Sequence, residues 1–348
     1  MARFIKTLKK TALAASIASL ATVANATIVT SIKPLGFIAS SIADGVTGTE
    51  VLVPAGASPH DYSLKPSDIQ KLQGAELILW VGEDIDAFLD KTLRPMPFKK
   101  VLSIADFAEI GGLLEGEAHD HKHEHDHAHK HDHDHKHEHD HKHDHAHKHE
   151  HDHKHDHDHK HDHEHKHDHA HGHDHDHSTN WHVWYSPEIS KIVATRLATR
   201  LTEAYPEKKE KIAQNLAEFN RTLAEQSEKI KQQLAPVKEK GFYVFHDAYS
   251  YFNNAYGLKQ TGYFTINPLV APGAKTLAKI KQEIKEHKVN CLFAEPQFTP
   301  KVIESLSKGT GVHVGRLDPM GDAVKLGVNS YANFLQYTAD SYFACLSK

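Results

Sequence analysis

The chain of 348 residues carries 46 acidic against 41 basic side chains, a formal net charge of −5 with histidine neutral, and this balance excludes binding to nucleic acid through a basic face. The gross anomaly is histidine: of 35 residues, 30 fall within the single tract 119–177. Subtracting that 59-residue tract and a 26-residue leader leaves 263 residues with 29 basic and 29 acidic side chains, more than one core usually holds, so two lobes are expected.

The leader has a basic start at Arg3, Lys6, Lys9 and Lys10, a small apolar run over 11–23, and the small-x-small site Ala24-Asn25-Ala26. That is the pattern of a secretory signal peptide, residues 1–26. Its apolar run is too short to span a bilayer as a helix, and no later stretch is long enough. No cysteine follows the cleavage site to suggest a lipid anchor. The mature chain, from Thr27, is therefore expected to be exported and soluble.

Strand-like and helix-like runs then alternate. Strands are predicted over 28–32, 50–54, 77–82 and 101–104. Helices are predicted over 34–46, from Pro66, and over 85–93, with Pro34 placed where a helix can start. Leu77-Ile78-Leu79-Trp80-Val81-Gly82 is continuously apolar, as in a strand buried on both faces. Such alternation implies parallel βαβ units.

The tract interrupts this first lobe. Every second residue is histidine, and the positions between hold 17 Asp or Glu, 8 Lys, three Ala and one Gly. Without large apolar side chains it cannot offset the entropy of ordering its backbone, so a disordered insertion is expected. Its imidazoles and carboxylates suit divalent metals at many exchangeable sites.

Order resumes at Asn180. Ser186 fits an N-cap, with Pro187 at the first helical position, and that helix is predicted to reach about Tyr205. The first lobe is thus 27–205. A linking helix over 206–235 follows, with an apolar stripe of Ile212, Leu216, Phe219, Leu223, Ile230 and Leu234. The second lobe, 236–348, repeats the alternation: strands over 242–245, 262–266, 291–294 and 312–316, helices over 248–256, 275–287, 300–307 and 330–346. Its two cysteines, Cys291 and Cys345, read as one disulfide in an exported chain, with two buried thiols as the alternative.

Outside the tract there are five histidines. His60, His182 and His246 stand at or near the C-terminal ends of predicted strands, and Asp318 has the same placement. In open α/β sheets ligands bind beyond the carboxyl ends of the strands. Two facing lobes would bring these residues into one cleft, where three imidazoles with a carboxylate or water make a tetrahedral zinc shell. His287, amid Lys285, Glu286 and Lys288, reads as a solvated helix face. His313, between two valines, reads as structural. Glu295, before a proline at a strand end, reads as a turn residue rather than a partner that orients a ligand histidine.

The run from Gly56 to Asp68, Trp181-His182-Val183-Trp184, Phe245-His246-Asp247-Ala248-Tyr249, Phe293-Ala294-Glu295-Pro296-Gln297-Phe298 and Leu317-Asp318-Pro319-Met320-Gly321 together resemble the periplasmic zinc-binding proteins of ABC zinc-uptake systems, the ZnuA type. The resemblance covers essentially the whole mature chain. It implies two α/β lobes joined by a long rigid helix, with Zn²⁺ as cargo in the cleft. It carries ligand roles onto His60, His182 and His246, and a disulfide onto Cys291 and Cys345. Manganese-binding relatives use a carboxylate where this chain has His246, and imidazole there favours zinc. Some zinc members have a Glu just before the first histidine. Here that residue is Pro59, which leaves Asp318, water or a tract histidine as fourth ligand.

The expected function is capture and delivery by a periplasmic monomer that is not an enzyme. The tract collects zinc loosely, the cleft binds it tightly, and an ABC permease with its cytoplasmic ATPase accepts it. Two alternatives stand beside it. One is a zinc reservoir or sequestering protein without a transport role. The other is a zinc hydrolase, for which no H-E-x-x-H helix motif is present and Glu295 is the obvious base candidate.

Overall fold

The computed structural model describes residues 27–116, 179–298 and 301–348. The leader with its expected cleavage, the histidine tract with its expected disorder, and the helix start expected at Pro300 lie outside the described residues.

In chain order the elements are β1 (Thr27–Thr30), α1 (Lys33–Ile42), β2 (Gly48–Val51), α2 (Pro66–Gly74), β3 (Leu77–Trp80), α3 (Glu83–Asp86), α4 (Asp90–Leu93), β4 (Val101–Ser103), β5 (Glu115–Gly116), β6 (Thr179–Asn180), α5 (Pro187–Ala204) and α6 (Lys209–Leu234). After them come β7 (Phe242–His246), α7 (Ser250–Tyr256), β8 (Gln260–Thr265), α8 (Ala274–Lys285), β9 (Cys291–Ala294), α9 (Lys301–Thr310), β10 (His313–Arg316) and α10 (Ser330–Leu346). The first lobe holds a parallel sheet in the order β2-β1-β3-β4 and the second a parallel sheet in the order β10-β9-β7-β8. Both lobes therefore follow one plan: the first strand is central, the second pairs on one side, the third and fourth on the other. The expected two parallel-sheet α/β lobes joined by one long helix are what the chain forms.

Strand alternation explains how the layers stack. On β7, Phe242 and Val244 join a central apolar layer, while Tyr243 and Phe245 join a separate outer cluster. On β9, Cys291 and Phe293 face inward, Leu292 and Ala294 outward. On β3, Leu77 and Leu79 face the same central layer, whereas Ile78 and Trp80 face outward with Leu72 and Leu89. Helices α1, α5, α6 and α10 supply the middle of that layer, so one continuous apolar core runs through both lobes. Two lobes were expected because the chain exceeds one core; the lobes exist, but they share their largest core.

Helix α6 shows the same thing. It has 26 residues, about 39 Å at 1.5 Å per residue. It buries Ile212, Phe219, Leu223, Ile230 and Leu234 as the stripe predicts, leaving Leu216 only partly covered. Asn215 is also buried, and its side-chain amide donates to the carbonyls of Ile42 and Asp44. The helix that links the lobes is thereby pinned to the end of α1.

The single helix expected over 85–93 is broken. Asp86 leaves the helical region at φ −106°, ψ 41° because its carboxylate turns inward to accept from Ser31 Oγ and the Val81 N–H, both at 2.8 Å. Burial there pushes its carboxyl up to about 7. His313 is exposed on the edge strand β10 rather than structural, and His287 is solvated as expected. Cys291 and Cys345 form the disulfide, joining the start of β9 to the end of α10.

Candidate metal centre

His60 lies in a 3₁₀ turn, Pro59–Asp61, beyond the carboxyl end of β2. Ser58 caps that turn by accepting the His60 N–H at 3.2 Å, and Pro59 supplies the fixed φ of its first position. His182 does not end a strand of either main sheet. It follows the two-residue antiparallel ribbon of β5 and β6 and precedes a 3₁₀ turn over Val183–Tyr185. Burial of Val183, Trp184 and Tyr185 in the central layer outweighs strand propensity there. His246 is the last residue of β7, the central strand of its sheet, and is 2% exposed.

The structure brings these three imidazoles together: one nitrogen from each lies within 4.8 Å of the others. His182 Nε2 and His246 Nε2 are 3.2 Å apart. A tetrahedral zinc ion with bonds of about 2.0–2.1 Å to nitrogen holds its ligand atoms about 3.3 Å apart, so this pair is already at ligand spacing. Among the described residues this is the group of His, Cys, Asp or Glu with such convergence.

The far nitrogens explain which atoms face inward. His246 Nδ1 lies 2.7 and 2.8 Å from the two oxygens of Glu295, and Tyr249 Oη donates to the same carboxylate at 2.9 Å. His182 Nδ1 lies 2.7 Å from Asn180 Oδ1. The amide of Asn180 is oriented in turn, because its Nδ2 donates to the Asp247 carbonyl at 2.8 Å. Both Nδ1 atoms thus meet acceptors only, so each carries its proton there and presents an Nε2 lone pair to the centre. Two lone pairs facing each other repel unless a cation lies between them.

Burial disfavours the protonated form of two of the three rings. It pushes the His60 imidazole down to about 4, with the neighbouring His246 as the lesser cause. Burial also holds His182 well below the usual imidazole range, helped by His246 and His60. Trp184 packs edge-on against His182 with its indole N–H donating to the Pro319 carbonyl, and Phe298 packs against His246. This apolar rim is what desolvates the rings.

Two sequence expectations change here. Glu295 does open a turn, its carbonyl accepting from the Phe298 N–H, but its side chain is buried and orients His246, and its oxygens are held by His246 and Tyr249. Asp318 does not belong to the converging group. Its Oδ1 accepts from Gln297 Nε2 and the Met320 N–H, and its Oδ2 accepts from the Asp322 N–H at 2.7 Å, so its lone pairs serve the loop it caps. Sequence reasoning missed Asn180 and Tyr249. The i, i+2 spacing of Asn180 and His182 was the available signal for the first, since Asn side chains commonly bond two residues on.

The defining pattern of one protein family, described as zinc-uptake complex component A, periplasmic, matches residues 28–345. The high-affinity zinc uptake system protein ZnuA of Haemophilus influenzae is 69% identical over 343 residues, covering 99% of each chain. That of Yersinia pestis is 42% identical over 324 residues, covering 93% of this chain and 92% of the relative. Among solved structures, a ZnuA deletion mutant with zinc bound superposes with a TM-score of 0.65 at 21% identity, covering 93% of this chain and 98% of that one. The periplasmic zinc-binding protein TroA from Treponema pallidum gives a TM-score of 0.65 at 16% identity, covering 93% and 100%. At those identities the solved structures speak for the fold.

Proposed function

This chain belongs to the family of periplasmic A components of zinc-uptake complexes and is a zinc-binding protein of the ZnuA type, and from that premise we propose that it captures one Zn²⁺ between His60, His182 and His246 and delivers it to an ABC permease. The observation that carries the site assignment is the Nε2–Nε2 approach of His182 and His246 at 3.2 Å, with both Nδ1 protons tied to Asn180 and Glu295. Zinc here is cargo. Three imidazoles supply a shell of nitrogen donors, and the fourth position falls to water. Asp318 stands outside the converging group and already accepts three hydrogen bonds.

The tract 119–177 is read as the collector, a store of weak exchangeable sites for zinc. In the sequence the tract lies between β5 and β6, and β6 contains Asn180. The chain is read as exported to the periplasm and as acting alone, without nucleic acid and without catalytic activity. Among the described residues no helix is long and apolar enough to cross a membrane.

A zinc competition titration of mature protein lacking 119–177, as wild type and as His60→Ala, tests the assignment. One tight site lost on substitution supports it. Weak binding indifferent to the substitution would place the metal in the tract and favour a reservoir instead.

A further inference from the structure

The shared core restricts how metal can leave. Swinging the lobes apart would expose the aromatic layer in which Phe334 of α10 meets Phe37 and Tyr185, with ring centroids 5.3 and 5.2 Å apart. Release by a local change needs less apolar surface to be uncovered. Of the three ligands, His182 and His246 are held through buried partners, whereas His60 rides on the loop 54–60, whose residues Pro54, Ala55 and Gly56 are exposed.

That loop is tied across the cleft. The Gly56 N–H donates to Asp322 Oδ2 at 2.6 Å, and Lys33 Nζ at the start of α1 donates to the Asp322 carbonyl at 2.7 Å. Asp322 is held from behind: its own N–H donates to Asp318 Oδ2, and Asp318 Oδ1 accepts from Gln297, two residues beyond the Glu295 that orients His246. Further along the same segment, Ser40 Oγ and Gly327 bond in both directions, and Ser330 Oγ donates to the Phe37 carbonyl. The segment that bears Asp322 is therefore anchored to both lobes, while in the loop it grips Ala57 to Pro59 pack inward and the preceding Pro54 to Gly56 are exposed. Gly56 has φ +77° and nothing within 4 Å of where a Cβ would sit, so at this exposed residue the bond to Asp322, rather than packing, fixes the chain.

We propose that Asp322 is the positioning residue that pins the His60 loop over the metal centre, and that its bond to the Gly56 N–H sets the rate at which bound zinc departs. Asp318 then acts as the keystone that aims Asp322. This rests on the three-histidine reading above.

The test is zinc release from the full mature chain, tract included, loaded with Zn²⁺ and mixed rapidly with excess chelator. The slow phase that His60→Ala abolishes reports the centre. Asp322→Ala should speed that phase about tenfold, the scale of one hydrogen bond to a charged group, with the association rate unchanged. Asp322→Asn keeps an oxygen for Gly56 and should restore most of the slow release. Lys33→Met removes the second tie without touching the acidic segment and should act in the same direction more weakly, which keeps the test open should Asp322→Ala fold poorly. An unchanged slow phase in both Asp322→Ala and Lys33→Met overturns the proposal. So does a matching loss in association and release, which would mean general damage. A wild-type chain with no slow phase dependent on His60 would instead overturn the three-histidine reading, and the proposal with it.

Discussion

His182 Nε2 and His246 Nε2 face each other at 3.2 Å across the cleft, each ring fixed from behind by a different acceptor, a neutral amide oxygen for the first and a carboxylate for the second. The two supports make separable contributions to holding a cation.

Removing the neutral support should weaken metal binding without abolishing it. Asn180→Ala frees the His182 tautomer and ring, and the expected loss of zinc affinity is about 10- to 100-fold, the range typical for partners that orient metal-bound histidines. Glu295→Gln keeps an acceptor but removes the charge, and about a tenfold loss is expected. Competition titration of each variant, with circular dichroism to confirm folding, reads both. Unaltered affinity in Asn180→Ala would mean the ring is set by packing against Trp184 alone.

Zinc should leave in two steps as pH falls. Tract imidazoles with ordinary values near 6.5 protonate first, whereas burial keeps His60 neutral until about 4. A pH titration of bound zinc should show an early loss around pH 6 to 7 and a later one at or below about pH 4, the later step absent in His60→Ala. Loss of all zinc in a single step near 6.5 would contradict the burial argument.

Stability of the metal-free chain should carry two opposing slopes. For His60 and His182 the folded values lie below the unfolded 6.5, so the unfolded chain takes up protons first and stability falls as pH drops from 6.5 toward 4. For Asp86 the folded value is raised to about 7, so its effect runs the other way: stability falls as pH rises from about 4 to 7. Asp86→Asn removes the second slope, and its urea midpoint should climb more steeply between pH 4 and 7 than the wild type's. Parallel profiles would refute this.

Unfolding should be a single transition because the lobes share a core. Phe334→Ala removes a fully buried ring that meets Phe37 and Tyr185, at an expected cost of about 3–5 kcal/mol. Breaking the Cys291–Cys345 bond by double substitution to serine should cost about 2–4 kcal/mol. Calorimetry should show one peak moving down in both variants. Two peaks, with only the second lobe's shifting, would show that the lobes unfold separately.

Much of this was readable along the chain, because hydrophobic period and turn residues act over a few positions. The run Leu77–Trp80 announced a strand buried on both faces, and Ser186-Pro187 announced a helix start that the structure keeps, Ser186 Oγ accepting from the Ile189 N–H. The alternation of elements gave the two parallel-sheet lobes, and the placement of His60, His182 and His246 picked out the residues that converge. What the sequence could not determine is which group sits behind the His246 ring. Glu295 is 49 residues from His246, and its role depends on β9 pairing beside β7, a long-range choice that local periodicity does not record. Asp318 followed the strand-end pattern as His60 and His246 did, yet its loop turns the carboxylate onto its own backbone and Gln297. The merging of two lobes through one core was likewise decided only in three dimensions, where the inward faces of both sheets found the same helices to bury against. Local sequence sets which faces are apolar; only the packed chain decides what covers them.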